Sequence, residues 1–207
     1  MPGNLIIVSA PSGAGKTSLV AALLKSDPQV RLSVSFTTRA PRAGEVHGRD
    51  YNFVDVAAFE RMRANGEFVE SALVHGNHYG TSQQWMSERR AEGQDILLEI
   101  DWQGALQVQR THRDAIAIFI LPPSYEVLQS RLKGRATDAP EVIAQRLRNA
   151  REEISHLIDF EYVIINDAFD RAARELAAIV VAERLKRERQ ITRHRETIDL
   201  LLNPPPR

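Results

Sequence analysis

Near-continuous apolar runs stand at Leu5–Val8, Ile96–Ile100, Ala115–Leu121 and Tyr162–Ile165. A strand with one wet face alternates apolar and polar residues; uninterrupted runs of this length are the pattern of strands covered on both faces. Between them the apolar spacing changes to a helical period over Lys16–Lys25, Ser82–Glu92, Ser124–Lys133, Pro140–Leu157 and Phe169–Arg187. Strand alternating with helix predicts an α/β domain: a parallel sheet joined by right-handed crossovers.

Two stretches break the alternation. Ser33 to Thr81 is long, rich in Arg, Tyr and Gly, and carries only short apolar runs such as Tyr51–Val54 and Phe68–Val69, so it reads as a small strand-rich insertion. Lys133–Pro140 is a polar loop between two helices and reads as a lid. The end, Asn203–Arg207, is expected to fray.

Composition narrows the class. The 207 residues suffice for one compact domain, and 27 basic against 27 acidic side chains leave no global field to attract nucleic acid or a membrane. With no cysteine there is no disulfide or thiolate chemistry, and no apolar run approaches the roughly 20 residues needed to span a bilayer. A cytoplasmic protein binding neither nucleic acid nor membrane is expected, and a homo-oligomer is compatible with the chain. The basic stretch Glu183–Arg195 reads as a solvated helix.

The candidate chemistry begins at Ser9-Ala-Pro-Ser-Gly-Ala-Gly-Lys-Thr17, between an apolar strand and a helix. A phosphate loop reads G-x-x-x-x-G-K-[ST]; Ala10 stands where the first glycine belongs, while Gly13, Gly15, Lys16 and Thr17 are present. Bare backbone lets successive N–H groups point at phosphate oxygens, and the helix start adds its positive end. Lys16 is placed to reach the β- and γ-phosphates of ATP and the Thr17 hydroxyl to ligate Mg²⁺. A second cluster, Ser33-Val-Ser-Phe-Thr-Thr-Arg-Ala-Pro-Arg42, holds Arg39 and Arg42 on either side of a stiffening proline. Two guanidinium forks so held suit a phosphate dianion.

"SVSFTTRAPRAGEVHGRDYNF", "GNHYGTS", "EIDWQG" and "IFILPPS", with "SAPSGAGKT", resemble the guanylate kinase family, from about Leu5 to about Asp170. Bacterial members commonly have Ala at the Ala10 position. The resemblance implies a P-loop NTPase-like parallel five-stranded sheet with helices on both faces, a nucleotide-monophosphate-binding insertion and a lid. In a single domain over 1–207, the core would be about 1–32, 82–130 and 158–207, the insertion about 33–81 and the lid about 131–157. The implied reaction is ATP plus GMP, or dGMP, to ADP plus the diphosphate, with Mg²⁺.

Carried over residue by residue, the resemblance implies that Ala10, Pro11, Ser12, Gly13, Ala14, Gly15, Lys16, Thr17 and Ser18 hold ATP, with Asn166 near the adenine. Arg39, Arg42, Tyr51 and Tyr79 would hold the GMP phosphate, and Ser35, Glu70, Thr81 and Asp101 would line the guanine pocket. Lys16, Arg39, Arg131, Arg135 and Arg146 would act on the transferring group, and Thr17 would ligate Mg²⁺ with Asp101 behind it through water. Many family members have Asp where Glu99 stands, so Glu99 is given no direct contact.

The residue types make sense of the base. Guanine offers two adjacent donors beside an acceptor; a carboxylate accepts from both donors and a hydroxyl can donate to the acceptor, so Glu70 and Thr81 match that edge. Adenine would face Glu70 with a lone pair and be rejected. Arg148 and Arg151 read as a solvated helix face, Trp85 and Trp102 as packing, and His47 and His78 lack metal-ligand spacing. The competing reading is a catalytically inactive guanylate-kinase-like module that binds phosphopeptides; Lys16, Thr17, Arg39 and Arg42 argue against it.

Overall fold

In the computed structural model, residues 1–74, 76–133 and 140–204 are described, without the side chains of 140–143. Chain order runs β1 (Leu5–Ser9), α1 (Lys16–Ser26), β2 (Val30–Leu32), β3 (Phe36–Thr37), β4 (Asn52–Phe53), α2 (Val56–Ala64), β5 (Phe68–Val74), β6 (Asn77–Ser82), α3 (Gln83–Ala91) and β7 (Asp95–Glu99). It continues through α4 (Trp102–Thr111), β8 (Ile116–Leu121), α5 (Tyr125–Lys133), α6 (Pro140–Ser155), a 3-10 turn at His156–Asp159, β9 (Tyr162–Ile165), α7 (Phe169–Arg184), α8 (Arg187–Arg193) and α9 (Arg195–Leu202). Arg135, expected on the lid, lies outside the described residues.

The main sheet has five strands in the order β2-β7-β1-β8-β9, every pairing parallel. Its two faces explain the unbroken apolar runs. Ile6 and Val8 of β1 face a core shared with Leu19 and Leu23 of α1 and Leu176 and Val180 of α7. Leu5 and Ile7 point the other way, into a core with Met86 of α3 and Ala105 and Val108 of α4. Successive side chains of a strand leave on opposite faces, so a strand sandwiched between helices needs apolar residues at every position.

The strand β2 and the helix α4 carry no pattern strong enough to be read beforehand. Three residues of β2 find their place only by register on β7, Val30 opposite Asp95 and Leu32 opposite Leu97. In α4 a glycine and several glutamines dilute the apolar period, and its start is fixed by Asp101, whose Oδ1 accepts from Gly104 N–H at 2.9 Å.

Between β2 and α3 lies a second sheet, β4-β3-β6-β5, with α2 attached. The helix was hidden in a strand-like stretch; Asp55 caps it by accepting from Ala58 N–H at 2.6 Å. Phe59 of α2 stacks on Phe68 of β5 and on His78 of β6, which gives this small sheet an aromatic core of its own. His47 has a structural task too, its Nδ1 accepting from Phe53 N–H at 3.1 Å. Trp85 and Trp102 pack against the main core, and Trp102 also stacks on His156.

At the far end of the chain the single helix expected to run to Arg187 stops at Arg184. That guanidinium is clamped by Asp27 and Asp95, both at 2.6 Å, which ties α7 to the base of β7. The basic stretch beyond is two short helices with no buried residue. No helix among the described residues is long and apolar enough to cross a membrane.

Candidate active site

The turn from β1 into α1 forms the loop Ala10–Gly15. Ala14 N–H closes it on the Pro11 carbonyl at 3.1 Å, and Gly13 and Gly15 take φ of +91° and +95°. Gly15 is required twice over. The left-handed backbone disfavours a side chain, and a Cβ on Gly15 would lie 2.4 Å from Asn166 Nδ2. Asn166 is buried and donates from Nδ2 to the Ala14 carbonyl at 2.7 Å. Arg131 donates to the same carbonyl at 3.2 Å and to the Asn166 carbonyl at 3.1 Å. Here the Asn166 carboxamide and the Arg131 guanidinium brace the back of the loop, where the resemblance put Asn166 near the adenine and Arg131 on the transferring group. Both groups satisfy the one Ala14 carbonyl of the tight turn.

On the open side, Lys16 Nζ donates to the Ile100 carbonyl at 3.1 Å, across the mouth of the sheet. The Thr17 hydroxyl donates to Glu99 Oε1 at 2.5 Å. Asp101, which the resemblance puts behind Thr17, caps α4 and also lines the cleft; the acid against the Thr17 hydroxyl is Glu99 at the end of β7. Its longer stem covers the reach from a strand end to α1. Among the described residues no group of three or more His, Cys, Asp or Glu side chains is set to hold a metal. The hydroxyl and carboxylate oxygens of Thr17 and Glu99 are hard donors of the kind that suit Mg²⁺.

Across the cleft stands the arginine cluster. Arg39 Nη2 meets both carboxylate oxygens of Glu45, at 2.8 and 2.9 Å, and Glu45 Oε2 also accepts from Arg42 N–H at 2.7 Å. The Arg39 guanidinium lies 5.3 Å from the Tyr51 ring centre, and Tyr51 packs edge-on against Tyr79. Burial, with Glu99 next in effect, pushes the Tyr51 hydroxyl above its ordinary range. Glu45 is thus a carboxylate held by one guanidinium nitrogen and one backbone amide, while Arg39 Nη1 donates to the Ala40 carbonyl at 2.8 Å.

The deep end of the cleft belongs to Glu70. The pairing of β5 with β6 slips between Phe68 and Glu70, a bulge that re-aims the side chain inward. Glu70 is buried, and Oε1 accepts from the Thr81 hydroxyl at 2.6 Å. The Thr81 hydroxyl is thus committed to the acid here and orients it. Burial, assisted by the neighbouring charge of Asp101, pushes the Glu70 carboxyl up to about 7. Gly104, in the first turn of α4, makes room: a Cβ there would stand 2.6 Å from Glu70 Oε2. The short string "DWQG" carried that signal, yet only the fold shows what the glycine clears.

One cleft of about 300 Å³ is lined at once by Ser12, Lys16, Thr17, Ser35, Arg39, Arg42, Tyr51, Glu70, Tyr79 and Asp101, together with Glu45 and Glu99. Thr81 is buried beyond it, Ser18 is exposed at the start of α1, and Arg146 sits on α6. Arg148 bonds Gln145 on the exposed side of α6.

Comparison with known proteins agrees with this geometry. The family model described as Guanylate kinase matches residues 2–183. A protein named Guanylate kinase from Aromatoleum aromaticum is 56% identical over 201 residues, 97% of this chain and 98% of the relative. Another of that name from Methylobacillus flagellatus is 55% identical over 202 residues, 98% of this chain and 100% of the relative. The crystal structure of guanylate kinase from Anaplasma phagocytophilum superposes with a TM-score of 0.77 at 36% identity, covering 91% of this chain and 89% of its own.

Proposed function

The chain belongs to the guanylate kinase family, and from that premise we propose how its cleft works. The enzyme transfers the γ-phosphoryl group of ATP to GMP, giving ADP and GDP. The observation that carries the assignment of roles is the shared lining: phosphate-loop residues and the Arg39–Tyr51–Tyr79 cluster border one cavity, with a buried carboxylate at its end.

ATP lies with its polyphosphate on the amides of the loop from Ala10 to Gly15, and Lys16 turns from the Ile100 carbonyl to the β- and γ-oxygens. GMP or dGMP sits opposite. Arg39 exchanges Glu45 for the GMP phosphate, Arg42 and the hydroxyls of Tyr51 and Tyr79 complete its cradle, and Ser35 and Asp101 flank the base. Glu70, ionised and held by Thr81, accepts from both donors of guanine. Thr17 and Glu99 would hold Mg²⁺, which neutralises charge on the β- and γ-oxygens when bound. The acceptor is already an anionic phosphate, so no side chain is needed as a strong base. Catalysis is positioning of two anions plus cations aimed at the moving charge, with water kept out. Arg135 and Arg146 are assigned to the transferring group on the resemblance alone.

The inactive-module alternative is not favoured, since the loop, Lys16 and the arginine pair are all in place. A coupled ADP-release assay with ATP and, in turn, GMP, dGMP, AMP, CMP and UMP tests the reading. Turnover is expected with the two guanine nucleotides; equal turnover with AMP, or none with GMP, overturns it.

A further inference from the structure

One amide of the phosphate loop is already occupied. Ser12 N–H donates to Glu153 Oε2 at 3.1 Å, a contact between residues 141 apart in the chain. Glu153 belongs to α6, and that helix is docked beside the loop. Its Leu147 and Ala150 pack with Leu128 and Leu132 of α5, and those two leucines lie within 3.3 Å of where a Cβ on Gly13 would stand. Glu153 follows Arg146 by seven residues, two helical turns, so both leave the same face of α6.

The surroundings make this acid unlike a surface glutamate. Burial pushes its carboxyl above the ordinary range; Lys16 opposes that shift, while Asp101 and Glu152 add to it. Lys16 itself donates to the Ile100 carbonyl, so the loop's own cation has another partner. A carboxylate oxygen on a loop N–H reproduces the contact a phosphate oxygen makes there.

We propose that Glu153 is a positioning residue that occupies the Ser12 amide in place of an ATP phosphate oxygen, and that the arriving polyphosphate displaces it, so that filling the donor site is transmitted to α6 and to Arg146. The proposal rests on the placement of ATP at the phosphate loop given above. One N–H cannot serve two anions equally, and two anions competing for it repel each other. A ligand shifts a conformational equilibrium by its differential contacts with the two states, and the Ser12 amide supplies such a difference.

The test is calorimetric titration of the full chain with ATP at fixed Mg²⁺, and separately with GMP, for the wild type, Glu153→Ala, Glu153→Gln and Lys16→Ala. Removing a like charge from the donor site should lower the ATP Kd about 5- to 30-fold in Glu153→Ala. Glu153→Gln, which keeps an acceptor and loses the charge, should show a smaller fall in the same direction. The GMP Kd should not move. In steady state KM for ATP should fall together with kcat, because Arg146 is no longer placed by occupancy of the loop. A helix anchor with no such role predicts the opposite sign, a looser α6 and weaker ATP binding. An ATP Kd that is unchanged or raised in the folded variants overturns the proposal; if Glu153→Ala does not fold, Glu153→Gln decides alone. An ATP Kd unaffected by Lys16→Ala would instead overturn the donor-site placement, and the proposal with it.

Discussion

Two regions face each other across the cleft, each assigned a phosphate, and they are built of different material. On the donor side the anion site is backbone: a strand–helix turn whose amides are aimed by two left-handed glycines and by Asn166 and Arg131 behind them. On the acceptor side it is side chain: Arg39, Arg42, Tyr51 and Tyr79 on a small separate sheet, held in shape by Glu45 and ring contacts. In each, a carboxylate occupies groups assigned to phosphate, Glu153 on the Ser12 amide and Glu45 on Arg39 Nη2. A backbone site binds polyphosphate without regard to the base, whereas a side-chain site can be continued into a pocket that reads one.

The largest effect should come from Lys16, which lines the cleft on the backbone side. Lys16→Ala should lower kcat at least about 10²-fold, since a contact that follows charge into the transition state is worth several kcal/mol. Steady-state kinetics at saturating ATP and GMP, with circular dichroism to verify folding, measure it. Near-normal turnover would place catalysis elsewhere.

The reading side should break through the base. In Glu70→Gln the Thr81 hydroxyl already donates to one side-chain oxygen, so the new NH₂ is turned toward the pocket, donor against guanine donor. An unpaired buried polar group costs about 1–3 kcal/mol, and kcat/KM for GMP should fall roughly 10- to 100-fold. The same NH₂ can pair with the N1 acceptor of adenine, so the GMP-to-AMP ratio should narrow. An unchanged ratio would mean Glu70 does not touch the base.

Arg39→Lys separates the two regions more gently. Lysine keeps the charge but not the planar guanidinium, whose Nη2 now holds both oxygens of Glu45 and whose Nη1 holds the Ala40 carbonyl. The GMP Kd should rise about tenfold, one lost charge-assisted bond, while the ATP Kd stays. Parallel losses in both titrations would show that the sites are not independent.

The same contrast governs what could be read before folding. The strand–loop–helix unit is contiguous from Leu5 to Leu24, so its apolar run, glycines and Lys-Thr pair are visible as one string. The arginine cluster is compact too, as TTRAPR. What escaped is whatever depends on register or on distant segments. Glu99 lies against Thr17 because β7 pairs with β1, Leu98 opposite Ile7 and Glu99 opposite Val8. Thr81 sits behind Glu70 through a bulge, and Glu153 reaches the loop from a helix more than a hundred residues away. Asn166 and Arg131, which the resemblance puts at the nucleotide, stand on the back of the loop here, bonded to the Ala14 carbonyl. A sequence pattern names the groups near a site; only the packing decides which side of the backbone they serve.

The smallest effect is a pH dependence on the reading side. Burial holds the Glu70 carboxyl at about 7 in the empty enzyme, while both guanine donors require it ionised. Binding therefore competes with a proton, and KM for GMP should fall as pH rises, by about threefold between pH 6.5 and 7.5 for one group titrating near 7. The GMP phosphate titrates nearby, with its second proton lost near pH 6 as for other phosphomonoesters, so the wild-type profile alone is ambiguous. Glu70→Gln resolves it: its profile should keep the phosphate's contribution and lose that of the carboxyl. The sign for stability is opposite. A carboxyl raised above its unfolded value of 4.5 stabilises the fold fully below that value and loses the contribution as pH climbs through about 7. The empty enzyme should thus melt at a lower temperature at pH 8 than at pH 5.5 through this group, and Glu70→Gln should flatten the difference, while added GMP should stabilise the wild type more at the higher pH. Thermal unfolding of both proteins across that range, with and without GMP, checks each arm. Identical pH profiles for wild type and Glu70→Gln would mean that the Glu70 carboxyl does not exchange a proton on GMP binding, and this coupling would be overturned.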